Sequence, residues 1–242
     1  MLKRSKARLR RILGRELTRV HGATVELNDV GELRKLFGWY DLPELDDPTL
    51  HEFEYVEDVN LRRLRDAEVI GTTVRNAGRS VCLEIGTSAG RTTALMAANA
   101  PAAVIHTVNI PPAEVVEGQG GTFTTHAIEK AAIGAWYRER GHTNVRQILA
   151  NTATWEPDIG PIDVAFIDGC HDTDFVFNDT EKVVRHMAPG GFVLWHDYNL
   201  ALTDTYPWVH SVVLGVEKLL EAGIINTRIF HVRDSWIGVC RI

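Results

Sequence analysis

Polar residues follow five short apolar segments of the sequence, and their side chains can bind a ligand, hold a cation or move a proton. Each apolar segment has the length and composition of a buried strand. In an open parallel sheet, ligands bind beyond the carboxyl ends of the strands, so we expect these polar residues to converge on one cleft. The polar residues are Glu84, Thr87, Ser88, Asn109, Asn151, Thr152, Asp168, His171, His196 and Asp197, and Gly86 and Gly90 accompany the first group and offer only backbone.

The first of these strand ends is a glycine-punctuated loop between Glu84 and Gly90. It follows the apolar run 81–85 and precedes the helix-prone run 91–99, which predicts a strand, a tight turn and a helix N-terminus. Such a junction offers unpaired backbone N–H groups, and glycine lets a ligand lie close to the backbone. The loop lacks the middle glycine of G-x-G-x-x-G, so a dinucleotide site is disfavoured.

The same residues also match the nucleophile elbow of α/β-hydrolases, G-x-S-x-G. The chain order Ser88, Asp168, His196 would suit the triad of that class. An elbow lies in mid-sheet after several strands, whereas the residues before Val81 show helical patterns and no clear strand. A serine hydrolase is therefore a second hypothesis, and its requirement is a histidine beside Ser88.

The spacing Glu-x-Gly-x-x-x-Gly at Glu84–Gly90 resembles motif I of the class I methyltransferases, which bind S-adenosylmethionine (SAM). The segments 166–171 and 189–198 are similar to those of catechol-type O-methyltransferases. They are more similar to the family that includes macrocin-type sugar methyltransferases and cephalosporin-hydroxylase-like proteins. The resemblance covers about residues 60–242. It implies methyl transfer from SAM to a hydroxyl of a small molecule, such as a sugar or natural product.

The resemblance also implies roles for individual residues. In relatives, an acid after the fourth strand and polar residues after the fifth hold a divalent cation; here these are Asp168, His196 and Asp197. A Lys or His three residues past the first acid acts as general base, which here is His171. A hard cation such as Mg²⁺ would orient the acceptor hydroxyl and lower its pKa. The adjacent His-Asp pair also suits a softer metal, and the alternative is no metal, with Asp168 contacting only the cofactor or capping a helix.

The implied SAM site contains one departure from the family pattern. Class I methyltransferases usually end the second strand with an acid that binds the ribose hydroxyls, whereas this chain has Asn109. An amide can hydrogen-bond a hydroxyl, but without charge, which predicts weaker SAM binding. The residues assigned to the cofactor are Glu84, Gly86, Thr87, Ser88, Gly90, Asn109, Asn151, Thr152 and Asp168.

The elements that must position these residues alternate between strand and helix from residue 59 onward, which is typical of a parallel sheet. Together with the resemblance, they predict an α/β fold: a Rossmann-like, doubly wound, seven-stranded sheet, mostly parallel, with an antiparallel C-terminal hairpin. We divide the chain into an N-terminal helical arm or lid, 1–58, and a SAM-binding domain, 59–242. Predicted strands are 80–85, 104–108, 145–149, 162–167, 192–195, 227–232 and 235–240. Predicted helices are 59–78, 91–99, 123–140, 173–187 and one near 212–220.

The N-terminal arm contains two segments of opposite charge. Residues 1–20 hold eight Lys or Arg against one acid, and 41–58 hold eight acids and no Lys or Arg. The basic segment is either an amphipathic helix for lipid, RNA or an acidic partner, or a solvated arm. The acidic segment and its aromatic residues are either a substrate lid or a packing segment. By family analogy, the arm can also support a homodimer.

Composition excludes several other classes of protein. The net charge of −6 argues against general nucleic-acid binding, and no apolar run approaches the ~20 residues of a membrane span. The basic N-terminus lacks the apolar region of a signal peptide. Three cysteines with no paired framework fit a reducing, cytoplasmic location. A third hypothesis is a SAM-fold module that binds a partner without methylating.

Overall fold

A mixed sheet of eight strands organises the part of the chain that the structure describes. The structure is a computed structural model and describes residues 17–51, 57–115 and 128–242. The strands are β1 (Thr24–Leu27), β2 (Val81–Ile85), β3 (Val104–Asn109), β4 (Val145–Leu149), β5 (Ile162–Ile167), β6 (Met187–Trp195), β7 (Ile229–Val232) and β8 (Gly238–Arg241).

The strand order across the sheet is β1-β7-β8-β6-β5-β2-β3-β4. All pairs are parallel except those of β8, which runs antiparallel between β6 and β7. From β2 the chain adds β3 and β4 on one side, and then β5 and β6 on the other. The strand order therefore reverses between β2 and β5, which is where doubly wound sheets bind their ligands.

Seven helices among the described residues cover both faces of the sheet. They are α1 (Thr18–Ala23), α2 (Val30–Phe37), α3 (Glu57–Ala77), α4 (Arg91–Asn99), α5 (Ala135–Glu139), α6 (Thr173–Arg185) and α7 (Pro207–Glu221). Alternate residues of a strand point to opposite faces. In β5, Val164 and Phe166 join the core under α2, α3, α4 and α5, while Ala165 and Ile167 join the core under α1, α6 and α7. Burial on both faces explains why β2 and β5 are nearly continuous apolar runs.

The predicted fold class and the antiparallel C-terminal hairpin are confirmed, but the count of seven strands was wrong. The eighth strand is β1, which lies in the N-terminal region predicted to be helical and pairs in parallel with β7 from Thr24 to Leu27. Only Leu27 of its four residues is buried, so it lacks the apolar run that identifies a central strand. The division of the chain at residue 58 stays a prediction.

The helix predicted over 123–140 was too long in its described part. Residues 130–134 form turns, and the helix occupies only Ala135–Glu139. An alanine-rich stripe predicts a longer helix, but the turn places Gly134 against the glycine loop, where its N–H donates to the Ser88 carbonyl at 2.9 Å. Residues 123–127 lie outside the described residues.

Two asparagines fasten the acidic segment to the helices beneath it. The Asn76 side chain exchanges two hydrogen bonds with the backbone of Asp41, of 2.9 and 3.1 Å. The Asn99 side chain does the same with Glu44, at 2.8 and 2.9 Å. Residues 41–47 are thus packed along α3 and α4. Whether they also act as a substrate lid stays a prediction, and Phe53 and Tyr55 lie outside the described residues.

The basic segment falls almost entirely outside the described residues, which begin at residue 17. Its proposed contacts with lipid, RNA, an acidic partner or a second copy of the chain therefore stay predictions. Among the helices that the structure describes, none combines the length and apolar character needed to cross a bilayer.

Asp163 should stabilise the start of β2. Its Oδ2 accepts hydrogen bonds from the backbone N–H groups of Arg79, Ser80 and Val81 at 2.6–3.1 Å. Hydrogen bonds to charged groups contribute about 1.5–3 kcal/mol each, so Asp163→Ala should lower the free energy of unfolding by roughly 2 kcal/mol or more. Urea denaturation measures it, with Asp158→Ala at an exposed site as control. Equal stability of the two variants would contradict this role.

Candidate active site

Backbone hydrogen bonds join the carboxyl ends of the central strands in one row. The His196 N–H donates to the Ile167 carbonyl at 3.0 Å, and the Asp168 N–H donates to Ile85 at 2.8 Å. The Gly86 N–H donates to Val108 at 2.8 Å, and the Ala150 N–H donates to Asn109 at 2.9 Å. The ends of β6, β5, β2, β3 and β4 are therefore adjacent, as the sequence predicts.

Gly86 lies directly against the end of β5. Its φ is +106°, and a Cβ built on it would lie 1.9 Å from the Asp168 carbonyl oxygen. No side chain fits in that space, and a positive φ strains any residue with a Cβ. The glycine loop and the first candidate metal ligand are thus held together by backbone contact.

Two further contacts fix the shape of the glycine loop. The Ser88 N–H donates to Asn109 Oδ1 at 2.9 Å, and Ser88 itself has a φ of +47°. Gly90, with a φ of +87°, packs so closely on Gly134 that an added Cβ would lie 2.8 Å from the Gly134 Cα. The loop therefore has one defined conformation, held from β3 and from the segment before α5.

Glu84 lies beneath this loop and is fully buried. Its Oε2 accepts hydrogen bonds from the hydroxyls of Thr93 and Thr107, while its buried Oε1 has no partner. Burial raises the pKa of Glu84 to about 8, although the two threonine hydrogen bonds act in the opposite direction. A polar atom without a partner in such a place is unusual.

Four side chains from the ends of β5 and β6 meet beside the loop: Asp168, His171, His196 and Asp197. Their potential ligand atoms all lie within 4.8 Å of one another. His196 Nδ1 is 3.2 Å from Asp168 Oδ1 and 3.3 Å from Asp197 Oδ2. His171 Nε2 is 3.1 Å from Asp197 Oδ2 and 3.5 Å from Asp168 Oδ1.

The electrostatics of this cluster are those of a tightly coupled group. Burial acts to raise the carboxyl pKa values, but the neighbouring His196 and His171 rings outweigh it and lower the pKa of both Asp168 and Asp197. Burial acts to lower the pKa of His196, but the two carboxylates outweigh it and hold that pKa well above its usual value. The two carboxylates and the His196 ring therefore stabilise one another's charged forms, and a bound cation would take the place of the proton on His196 Nδ1.

The cluster has the geometry of atoms that face a shared point. His196 Nδ1 is buried near both carboxylates, yet it makes no hydrogen bond of acceptable angle with either. Asp197 has a φ of +54°, a conformation that costs energy for a residue other than glycine and that recurs at functional sites. Imidazole nitrogen and carboxylate oxygen are both metal ligands, so these residues fit a divalent cation.

A cavity of about 320 Å³ opens from this cluster along the groove between α3 and α4. Phe166, Asp168 and His196 lie at its inner end. Its walls include Arg91 and Arg140, whose guanidinium carbons lie 3.8 and 3.6 Å from the centroid of the Trp136 ring. The acidic segment contributes Glu44, Asp46 and Asp47. This volume lies at the lower end of the range for small-molecule sites.

The other predicted site residues lie at the strand ends but face different partners. Both polar atoms of the Asn109 side chain are engaged with backbone, at Ser88 N–H and Ile110 carbonyl. The Thr87 hydroxyl is buried and 2.7 Å from the Thr107 hydroxyl. Asn151 Oδ1 accepts from Ala153 N–H at 3.0 Å, and the Thr152 carbonyl accepts from Lys182 Nζ at 2.8 Å. Their contacts with a cofactor stay predictions.

The hydrolase hypothesis finds no assembled triad. Ser88 is exposed, and within the described residues no histidine lies within hydrogen-bond distance of it. His196 contacts Asp66, Asp168 and Asp197 instead. One premise of the sequence argument was nevertheless wrong, because a strand, β1, does precede the glycine loop.

Sequence reasoning missed Asp66, Arg91 and Trp136. Asp66 lies on α3 with its Oδ2 3.7 Å from His196 Nε2, and Trp136 lies on α5. These side chains reach the site from helices, not from strand ends. A helical face carries no sequence signal for the strand end it will meet, so only Arg91, at the start of α4, lay near a recognised motif.

Comparisons with known proteins relate the part of the chain that contains this site to methyltransferases. Residues 83–198 match a family model described as a methyltransferase domain. These residues include the glycine loop, the β5 end and the β6 end. Over this part of the chain, the match and the fold are consistent with a class I, SAM-dependent methyltransferase domain. A search of functionally curated proteins gave no match.

Solved methyltransferase structures share the fold. The SAH-bound methyltransferase PaMTH1 of Podospora anserina aligns with a TM-score of 0.55 and 17% identity, over 89% of this chain and 95% of that one. A Klebsiella pneumoniae protein described as an O-methyltransferase aligns with a TM-score of 0.50 and 17% identity, over 86% and 92%. At such identities the similarity shows the fold alone.

Another similar structure is much longer than this chain. Phosphoethanolamine N-methyltransferase 1 of Haemonchus contortus aligns over 48% of this chain and 22% of its own length, with 12% identity and a TM-score of 0.35.

The methyltransferase domain has the features that SAM requires at its glycine loop. Gly86 lets the loop pass directly against the backbone of Asp168, and the buried Glu84 Oε1 has no hydrogen-bond partner. The helix α4 begins directly after Gly90, and its first N–H groups have no partner within the helix. These three observations support the cofactor that the family implies.

Gly86→Ala should weaken cofactor binding. The new Cβ would meet the Asp168 carbonyl and strain the positive φ, which costs about 1–3 kcal/mol; if the loop shifts to relieve that strain, SAH affinity should fall roughly 5- to 150-fold. Isothermal titration with S-adenosylhomocysteine (SAH) measures it. Gly160→Ala, where an added Cβ meets nothing within 4 Å, is the control. Unchanged SAH affinity in Gly86→Ala would place the cofactor elsewhere.

Glu84 should make the stability of the methyltransferase domain depend on pH. Its pKa is raised from 4.5 to about 8, so the folded state holds a proton that the unfolded chain releases between these values. Stability contributed by this group therefore falls as pH rises through that range. Glu84→Gln should gain stability relative to the native protein by up to about 1.4 kcal/mol per pH unit.

Urea denaturation of the cofactor-free protein between about pH 5 and about pH 8 tests this slope. Glu139→Gln, at an exposed position of α5, is the control and should track the native protein. A stability difference between Glu84→Gln and the native protein that stays constant with pH would mean that Glu84 is ionised in the folded state.

Proposed function

We propose that this protein is a SAM-dependent O-methyltransferase that acts on a hydroxyl of a small molecule with the help of a divalent cation. The observation that carries the proposal is the cluster of Asp168, His171, His196 and Asp197, of which Asp168 and His196 line the cavity. The glycine loop contacts the backbone of one member of that cluster. The cofactor loop and the acceptor cavity thus meet at one place.

Asp168, His196 and Asp197 would hold the cation. Two carboxylate oxygens and one imidazole nitrogen face one another at 3.2–3.3 Å, and both carboxylates favour their charged form. When bound, a hard cation such as Mg²⁺ supplies a positive charge that orients a hydroxyl and lowers its pKa. The donor set, with its histidine, also suits a transition metal.

His171 would accept the proton of the acceptor hydroxyl. His171 lies in the loop between β5 and α6. Its side chain is 18% exposed, and its Nε2 faces the carboxylates of Asp168 and Asp197. A histidine can hold a proton near neutral pH. Its position beside Asp168 and Asp197 also allows a fourth ligand role, so metal affinity and turnover must be measured separately.

The acceptor would be a hydroxylated small molecule, such as a sugar or a natural product. The cavity combines charged side chains at its rim with the Trp136 ring and Phe166, which suits a polar molecule with an apolar face. Its size fits a single small molecule better than a macromolecule. A homodimer through the N-terminal arm and a cytoplasmic location complete the proposal.

SAH and Mn²⁺ titrations test the two binding steps separately. The native protein should bind both, whereas Asp197→Ala should lose Mn²⁺ binding and keep SAH binding within a few-fold; Asp168→Ala, at a residue also assigned to the cofactor, should lose Mn²⁺ binding. Asp174→Ala, at an exposed acid on α6 that pairs with Lys218, is the control. No SAH binding at millimolar concentration would overturn the methyltransferase proposal, and SAH binding without Mn²⁺ binding would overturn the metal.

His171→Gln should separate base from ligand. We expect methyl transfer from radiolabelled SAM to a panel of hydroxylated compounds to fall about 10²- to 10⁴-fold, while Mn²⁺ and SAH affinities stay near those of the native protein. EDTA should abolish transfer by the native protein. Loss of Mn²⁺ affinity in His171→Gln would assign the ring to the metal, and unchanged transfer would remove it from the chemistry.

A further inference from the structure

Asp66 is a buried carboxylate that reaches the site from α3 and not from a strand end. The residue is 7% exposed, and its Oδ2 lies 3.7 Å from His196 Nε2. That distance is longer than a hydrogen bond but short enough for a direct charge interaction. A buried carboxylate requires partners, and His196 is one of them.

The two nitrogens of His196 face different carboxylates. Nδ1 faces Asp168 and Asp197, and Nε2 faces Asp66. A neutral imidazole has one N–H and one lone pair. If Nδ1 is to bind a cation together with Asp168 and Asp197, the proton must be on Nε2, where only Asp66 among these three acids can stabilise it.

The Asp66 carboxylate is itself held in one orientation. Its Oδ1 accepts the backbone N–H of Trp236 at 2.6 Å. Arg62, one turn earlier on α3, packs over the Trp236 ring at 4.1 Å, and its Nε lies 4.0 Å from Asp66 Oδ2. Rotating the carboxylate would break the bond to Trp236, so Oδ2 stays directed at His196.

We propose that Asp66 is a positioning residue that keeps the proton of His196 on Nε2, so that Nδ1 presents its lone pair to a divalent cation shared with Asp168 and Asp197. Metal-binding histidines commonly have a carboxylate beside their other nitrogen, and here the negative charge of Asp66, 3.7 Å from Nε2, would favour the proton there without a direct hydrogen bond. The inference rests on the proposed function, because it assumes that the cluster binds a cation. The helix α3 would thus supply the carboxylate that faces His196 Nε2, which no residue at the strand ends supplies.

Asp66→Asn reverses the interaction without changing the shape of the side chain. The amide oxygen must stay on the Trp236 N–H, because an amide NH₂ cannot accept that bond. The NH₂ group then faces His196 Nε2 and favours a lone pair there, which moves the proton to Nδ1. The variant should therefore bind Mn²⁺ about 10- to 100-fold more weakly, with SAH affinity and thermal midpoint close to those of the native protein.

Glu68→Gln is the matched control on the same helix. Glu68 pairs with Arg65 at 2.6 Å, and its side chain is 28% exposed, so Mn²⁺ affinity should not change. If Asp66→Asn binds Mn²⁺ as tightly as Glu68→Gln and the native protein do, the role of Asp66 is wrong while the proposed function stands. If the native protein binds SAH but no divalent cation, the metal in the proposed function fails, and the role of Asp66 fails with it.

A spectroscopic measurement decides the tautomer even if Asp66→Asn does not fold. In the native protein saturated with Mg²⁺, ¹⁵N shifts of the His196 ring, assigned with a His196→Gln variant, should show a protonated Nε2 and an unprotonated Nδ1. Asp66→Asn should change that pattern, whereas Glu68→Gln should not. A proton on Nδ1 in the Mg²⁺-saturated native protein would overturn the inference.

Discussion

The close approach of Gly86 to the Asp168 carbonyl is the contact on which the rest of the site depends. β2 and β5 are neighbours at the reversal of strand order, so their carboxyl ends must pass within contact distance. Only a residue without a Cβ fits there, since a Cβ would lie 1.9 Å from that oxygen. The same contact fixes the loop beside α4 relative to the acids that follow β5 and β6.

In the proposed methyl transfer, one side of this contact would bind the cofactor and the other side would bind the acceptor. On one side, the glycine loop is held by Asn109 and by the segment before α5, which leaves little freedom in its backbone. On the other side, Asp168 and His196 form the inner end of a cavity between α3 and α4. The acidic segment lies over that cavity because Asn76 and Asn99 hold its backbone. Cofactor and acceptor would therefore approach from different directions.

The sequence predicted those features that depend on strand ends. A buried parallel strand is an apolar run, and the polar residue that follows it must lie at the edge of the sheet, so Asp168, His196 and Gly86 could be placed together before any coordinates. Features that depend on packing between distant segments could not be predicted. β1 has one buried residue of four, and Asp66 is one acid on a helix until Trp236 and His196 are brought beside it. The short helix α5 follows from a contact between Gly134 and Ser88 that no local pattern encodes.

A crystal structure of the protein with SAH and Mn²⁺, with data collected at the manganese absorption edge, tests the central claim most directly. We expect the homocysteine end of SAH against Gly86–Gly90 and one anomalous peak in contact with Asp168, His196 and Asp197. SAH and manganese should share one continuous cavity. SAH bound away from the glycine loop, or manganese bound away from the ends of β5 and β6, would contradict the account.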